Sequence, residues 1–442
     1  MRVIVLVDGE HYPPVTRWGI DLARERGLEP VAALLLGGTE KLRPGEQLDL
    51  GITVRPAGAS ARDALAAAIQ ELDVQGVLDL SDEPVLGYRE RLELASVALA
   101  HGLVYLGPDV RLEPPLEGPM LEAPTLAVFG VGKRTGKTAI AGEAARVASA
   151  GGFEPVVVAM GRGGPPEPQI APAGSVGLKD LLERVRRGEH AASDYLEHAV
   201  TTGVTTVGAR RVGGGLGGRP YATNLREAAE IAVQLGAGTV ILDGSGAAIP
   251  PVPWDAGILV VPAGLPPEYL GGYLGPLRLL LSDLVVVTMG GSPAGLENLP
   301  TLRSHVERLR GDARLIVTDF EPWPLADVRG RGVFFTTTAP GATAERQAKA
   351  LEATHGCRVV GWSARLADRA GLAQDLDGAE AYEVLLTELK AAAVDVACDR
   401  ALAAGAEVVF VDNRAVVVEG DADLPAALRE TIGLAGERHT RR

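Results

Sequence analysis

The residues best equipped for chemistry lie in Gly130-Val-Gly-Lys-Arg-Thr-Gly-Lys-Thr138. The apolar run Leu126–Phe129 precedes them, and a helical pattern, Ile140–Ala150, follows. A glycine-rich turn between a buried strand and a helix points backbone N–H groups and the positive helix end at one spot. That spot suits the phosphates of a mononucleotide. Gly130, Gly132, Thr135, Gly136, Lys137, Thr138 and Ala139 are expected to line it. Lys137 would reach the terminal phosphates, and the Thr138 hydroxyl would meet Mg²⁺. The usual loop places four residues between its first glycine and the Gly-Lys pair. Here Gly132 leaves three and Gly130 leaves five. Lys133 and Arg134 add charge beside the phosphates, unless they are solvated loop residues.

Such a loop needs a carboxylate at the end of a neighbouring strand to orient the metal or its waters. Asp243 closes the run Thr239–Leu242 and precedes Gly-Ser-Gly, so it is the candidate, with a polar turn cap as the alternative. Two arginine-bearing loops offer anion contacts. Arg162 sits between glycines after the strand Pro155–Met160. Arg210, Arg211 and Arg219 sit in Ala209–Pro220, which holds five glycines. Guanidinium forks take phosphate oxygens in pairs, and a loop this rich in glycine could close as a lid. An exposed loop with solvated arginines is the competing reading. Near the start, Asp8, Glu10 and His11, Gly37–Thr39 and Ser81–Glu83 all follow expected strands. They would share one sheet edge, where a crevice is expected. Asp8, Glu10, His11 and, from the Asp243 turn, Ser245 are candidate substrate contacts. Turn residues and helix caps are the alternative.

Two α/β series must position these groups. The first alternates strands Val3–Val7, Val31–Leu36, Val77–Leu80 and Val104–Leu106 with helices Val15–Glu25, Ala61–Leu72 and Arg89–Ala100. Such alternation argues for a parallel sheet with crossover helices. Leu112–Pro124, with four prolines, reads as a linker. In the second series, strands Gly257–Val261, Leu284–Thr288, Arg314–Val317 and Gly332–Thr336 follow the loop and Asp243. Then come a helix at Glu345–Thr354, a strand at Arg358–Val360 and one long helix over Tyr382–Ala404. Val408–Val411 and Val416–Val418 read as a terminal hairpin or strand pair, and the tail after Leu434 as frayed. The fold class is therefore α/β: a Rossmann-like parallel-sheet domain (1–112), a linker (113–124), a P-loop NTPase domain (125–340) and a C-terminal α/β extension (341–442).

Composition limits the partners. A net charge of −14 repels polyanions at long range, so nucleic acid and anionic membranes are poor candidates. No apolar run reaches the roughly 18 residues of a membrane span, and the amino terminus does not read as a signal peptide. A cytoplasmic protein is expected. Cys357 and Cys398 form no CxxC and read as reduced thiols, and the seven histidines show no metal-binding spacing. A homo-oligomer, in the first instance a dimer, is expected.

With these residues in hand, the chain resembles the cyclic 2,3-diphosphoglycerate synthetase family. The resemblance rests on Val7-Asp-Gly-Glu-His-Tyr-Pro-Pro14, Gly130–Thr138, Asp243-Gly-Ser-Gly-Ala-Ala-Ile-Pro-Pro251 and Gly272–Leu284. More distantly, the Gly-Lys-Thr loop with Asp243-Gly-Ser-Gly is similar to dethiobiotin synthetase. The resemblance implies that ATP and 2,3-diphosphoglycerate give the cyclic anhydride, ADP and phosphate. It also implies that Lys137, Lys133, Arg134, Arg162, Arg210, Arg211 and Arg219, with Mg²⁺ near Thr138 and Asp243, lower the repulsion between anions. The residues alone leave open a kinase making 2,3-diphosphoglycerate from a monophosphate, a dethiobiotin-synthetase-like ligase, and a nucleotide-operated switch or partitioning protein.

Overall fold

The computed structural model describes residues 1–38, 48–419 and 423–442. Among them the strands form two sheets. The first has six strands: β1 (Arg2–Val7), β2 (Glu29–Leu35), β3 (Thr53–Pro56), β4 (Gly76–Asp79), β5 (Val104–Leu106) and β6 (Arg111–Leu112), in the order β3-β2-β1-β4-β5-β6. All neighbours are parallel except β5 and β6. The chain fans out from β1 in both directions, so β1 and β4 flank a switch point at the carboxyl ends of the strands. Both faces of β1 are covered, and its residues Val3–Val7 are buried. That is why an unbroken apolar run, and not an alternating one, marks it.

The second sheet has thirteen strands. They are β7 (Thr125–Gly130), β8 (Pro155–Gly161), β9 (Gln169–Ala171), β10 (Thr206–Val212), β11 (Ala222–Thr223), β12 (Thr239–Asp243), β13 (Ala256–Pro262), β14 (Leu284–Thr288), β15 (Arg314–Pro324), β16 (Gly332–Thr336), β17 (Arg358–Ser363), β18 (Val384–Glu388) and β19 (Glu407–Val417). The order is β11-β10-β8-β12-β7-β13-β14-β15-β19-β18-β16-β17, with β9 pairing β10. The loop-bearing β7 lies at the centre, between β12 and β13, parallel to both. Phosphate loop, Asp243 turn and Arg162 turn therefore emerge along one edge.

Three expectations for the carboxyl-terminal third are corrected. Tyr382–Ala404 is not one helix. It contains the buried strand β18, a π-helical turn at Ala393–Cys398 and a short helix at Asp399–Ala403. Its alanines favour helix, but Val384–Leu386 pair with β16 and β19 inside the sheet, and that pairing wins. The expected hairpin or strand pair is a single strand: β19 runs straight through Asn413-Arg414, held antiparallel against β15. The tail is not frayed either. The helix Leu424–Thr440 buries Leu428, Ile432 and Ala435 against the central sheet. Arg438 donates to both oxygens of Asp283, at 2.8 and 3.0 Å, and Arg442 pairs with Asp255.

The proline-rich segment is docked, not loose. Leu121 and Ala123 are buried, and Glu117 N–H donates to Pro251 O at 3.1 Å. The helix Tyr88–Ala100 packs on the helix Gly275–Leu280, so the first sheet's layer leans on the layer behind the phosphate loop. Both cysteines are free and buried.

Candidate active site

The phosphate loop is shaped by two glycines. Gly136 caps the helix Lys137–Ala150 at φ 87°, a left-handed conformation that other residues rarely adopt. A side-chain carbon there would also lie 2.4 Å from the Phe320 ring. At Gly130 such a carbon would lie 2.7 Å from Val260 O, so only glycine lets β7 pass β13. No side chain caps the helix start, which leaves the first-turn N–H groups of Lys137, Thr138 and Ala139 as donors. Thr135 is buried, and Thr288 Oγ1 donates to its carbonyl at 2.8 Å. Lys133 and Arg134 are exposed.

Lys137 is buried. Its Nζ donates to Gly132 O at 2.6 Å and to Thr135 Oγ1 at 3.0 Å. Burial pushes its pKa down to about 8, with Asp243 and Asp194 opposing the shift. Asp243 ends β12 beside β7 and is buried. Its Oδ2 meets His198 Nε2 at 2.9 Å, while its Oδ1 has no hydrogen-bond partner. Burial disfavours a charge on His198, but the Asp243 bond and charge, aided by Glu197 and Asp194, hold its pKa above the ordinary value.

Arg162 and Arg211 converge. A side-chain carbon added at Gly246 (φ 61°) would lie 2.9 Å from Arg211 Nη2 and 3.1 Å from Arg162 Nη2. Arg211 donates to Gly213 O at 2.6 Å and to Ser245 O at 2.9 Å, and its buried Nε has no partner. Burial, then Arg162, lower its pKa. Ser245 is buried and meets Arg211 through its backbone. Arg210 and Arg219 lie apart from this pair. Arg210 is exposed, one residue out of phase with Arg211 along β10. Arg219 reaches the proline-rich segment, with Nη2 2.6 Å from Glu117 Oε2.

In the first sheet's crevice, the loops after β1, β2 and β4 do meet. Gly9 N–H donates to Gly37 O at 2.8 Å, and Asp82 N–H to Asp8 Oδ2 at 2.8 Å. Thr39 lies outside the described residues. Asp8 Oδ1 accepts from the backbone of Glu10 and His11 and contacts His11 Nδ1 at 2.8 Å. Burial opposes ionisation, but the His11 bond and the backbone bonds hold the Asp8 carboxyl below its usual range. The Asp8 carboxylate thus acts as a clamp between the loops after β1 and β4. Asp8→Ala is expected to cost about 2–4 kcal/mol of stability. Its loss should be seen as an earlier urea midpoint, with kcat of the folded fraction near wild type. The stability that Asp8 provides is present above the unfolded carboxyl's pKa and is lost as pH falls through the lower folded value.

Several groups at the site were not expected. Asp194, Glu197 and His198 share one face of the helix Asp194–Thr202, at spacings of three and four. That spacing was the available signal. Lys390, from the loop after β18, reaches Glu197 at 3.3 Å. Burial raises the Glu197 pKa to about 7, with Lys390 opposing. Arg278 is buried and donates only to carbonyls: Gly130 at 3.2 Å, Leu274 at 3.2 Å and Ala247 at 2.7 Å. Burial lowers its pKa to about 10. It ties the end of β7 to the turn after β12.

Among the described residues, no cluster of three or more His, Cys, Asp or Glu could hold a metal by itself. The half-buried Thr138 and the partnerless Asp243 Oδ1 nevertheless fit Mg²⁺, which usually takes few protein ligands and completes its shell with phosphates and water.

Family models cover most of the chain. The cyclic 2,3-diphosphoglycerate synthetase N-terminal domain matches residues 2–113, its P-loop domain 125–319 and its C-terminal domain 324–414. A cyclic 2,3-diphosphoglycerate synthetase from Rubrobacter xylanophilus is 46% identical over 446 residues, covering 99% of this chain and 100% of its own. One from Methanothermobacter thermautotrophicus is 43% identical, covering 95% of this chain and 93% of its own. Among solved structures, HypB from Helicobacter pylori in complex with nickel aligns at 13% identity, covering 45% of this chain and 79% of its own, with a TM-score of 0.29, too low to bear on the fold. No helix among the described residues is long and apolar enough to cross a membrane. The chain, matched over its length by these models and relatives, belongs to the cyclic 2,3-diphosphoglycerate synthetase family.

Proposed function

We propose that this chain uses ATP to close 2,3-diphosphoglycerate into its cyclic anhydride. An oxygen of one substrate phosphate attacks the γ-phosphorus, the bond to the β-phosphate breaks and ADP leaves. An oxygen of the second substrate phosphate then attacks the phosphorus of the first. The new P–O–P link closes the ring, and the transferred group leaves as inorganic phosphate.

Attacker and target are both anions, so the barrier is largely repulsion, and fixed positive charge lowers it. Lys137 and the helix N–H groups hold the nucleotide's terminal phosphates, with Lys133 and Arg134 at the rim. Mg²⁺, met by Thr138 and Asp243, would supply Lewis-acid neutralisation of the β- and γ-phosphate oxygens. Arg162 and Arg211 orient the diphosphoglycerate. The observation carrying the reading is their convergence over Gly246, beside Lys137's turn, with no carboxylate among the described residues ion-paired to either. Ionised phosphate needs no general base. The glycine loop, hinged at Gly213 and Gly218 (both at positive φ), is the proposed lid. Arg219's exposed pair with Glu117 is weak enough to release on closure. The proposed setting is the cytoplasm, and the proposed assembly a dimer, which light scattering reads out.

Phosphorus NMR of the protein with Mg-ATP and 2,3-diphosphoglycerate tests the reading. The expected result is an upfield cyclic-anhydride pair appearing with ADP and phosphate. ATP consumption without that pair would overturn the cyclase reading and point to another acceptor, first a monophosphoglycerate.

A further inference from the structure

We infer that His198 is a positioning residue for the reaction: it fixes the Asp243 carboxylate through Oδ2 and so reserves Oδ1 for the nucleotide-bound metal. The inference rests on the reading of Asp243 as the metal-side carboxylate. His198 and Asp243 are both buried, and the bond between them is 2.9 Å long. Among the described residues no other hydrogen bond holds the Asp243 side chain, so the ring is the polar contact that sets its rotation.

The histidine is poorly explained as packing. Its Nδ1 is buried with no partner, and a buried polar atom left unmade is a liability that an aliphatic side chain would avoid. His198 lies on the helix Asp194–Thr202, which packs against the phosphate-loop helix Lys137–Ala150. A pair with one bonded and one bare carboxylate oxygen differs from the fully satisfied Glu388, whose oxygens accept from Thr337, Thr338 and Asn413. Outer partners of metal-side ligands set ligand orientation, and their loss commonly weakens metal binding about 10- to 100-fold.

The test is Mn²⁺ binding to the full chain with a non-hydrolysable ATP analogue, followed by electron paramagnetic resonance. His198→Leu is expected to weaken Mn²⁺ at least tenfold and leave metal-free binding of a fluorescent nucleotide within about threefold. His198→Gln, whose amide can reach Oδ2, should recover most of the affinity. Asp243→Asn is measured in parallel. Weakened Mn²⁺ in Asp243→Asn with wild-type affinity in folded His198→Leu would overturn the positioning role alone. Wild-type affinity in both would remove the reading of Asp243 as well. If His198→Leu does not fold, His198→Asn, whose shorter amide falls short of Oδ2, carries the same expectation and the same overturning result.

Discussion

Lys137→Met is expected to melt higher without ligands and to turn over about a thousandfold more slowly. The two effects share one cause. The Lys137 ammonium sits inside the protein, held by the Gly132 carbonyl and the Thr135 hydroxyl. Burial takes its pKa from an ordinary lysine's 10.5 to about 8; Arg162 and Arg211 add to the fall, and Asp243 and Asp194 only partly offset it. The folded value lies below the unfolded one. Between about pH 8 and 10.5 the unfolded chain therefore holds more protons, and stability rises with pH across that window. Below it the charged lysine costs the native state on the order of 3 kcal/mol. Methionine, of similar length, removes the cost, so the variant gains stability at pH 7 and loses the rise above pH 8. In the proposed reaction, catalysis loses the charge that would face the transferring phosphoryl group, about 4 kcal/mol of transition-state stabilisation. Thermal melts at pH 7 and pH 9.5, beside single-turnover ADP release, check both. Wild-type turnover would end the phosphate role of Lys137. A lower melting point at pH 7 would end the account of its buried charge.

What the sequence made legible follows from how local each signal is. The phosphate loop is read from contiguous residues because strand, turn and helix start are consecutive. The irregular glycine spacing is settled by contacts: Gly130 is required by β13, and Gly136 by its left-handed φ and by Phe320. Asp243 was legible because it ends an apolar run and precedes Gly-Ser-Gly. Phe320 and Thr288 carried no such signal. They reach the loop only because β14 and β15 lie further along the same sheet. Arg278 is more hidden still. It is a lone cation in an apolar stretch, and only the fold shows it bonding the carbonyls of Gly130, Ala247 and Leu274.

The carboxyl-terminal third misled for the opposite reason: its local signals are strong and the tertiary pairing overrides them. Alanine-rich Lys390–Ala404 favours helix, yet Ala391 takes φ 47° and the chain leaves β18 through a π-helical turn. Asn413-Arg414 resembles a turn, yet Arg414 pairs with Glu321 in register and its guanidinium lies 4.1 Å from the Trp323 ring. The same third delivers Lys390 to Glu197, one residue from His198. Charge at the site thus depends on a segment more than 250 residues from the phosphate loop in sequence, which no local pattern could disclose.

The three arginines of the glycine-rich loop should separate on substitution. Arg211→Ala is expected to lower kcat/KM for 2,3-diphosphoglycerate about a thousandfold, with KM for ATP within about threefold of wild type. Arg211 and Arg162 are like charges brought together over Gly246, a costly arrangement that a dianion between them relieves. Arg211→Lys keeps a point charge but loses the fork, so it should recover tenfold or less. Arg210→Ala and Arg219→Ala should each cost about tenfold at most. Arg210 is exposed and out of phase with Arg211, and Arg219 is already engaged by Glu117 in a pair worth about 0–1 kcal/mol. If the loop closes, Arg219 matters for retention more than for binding. Its loss then appears as ATP hydrolysed without cyclic product, because water reaches the activated phosphate before the ring can form. Following ADP and cyclic anhydride in the same samples distinguishes these roles. Equal losses at Arg210, Arg211 and Arg219 would mean that the loop acts as one electrostatic cover and that Gly246 marks no separate subsite.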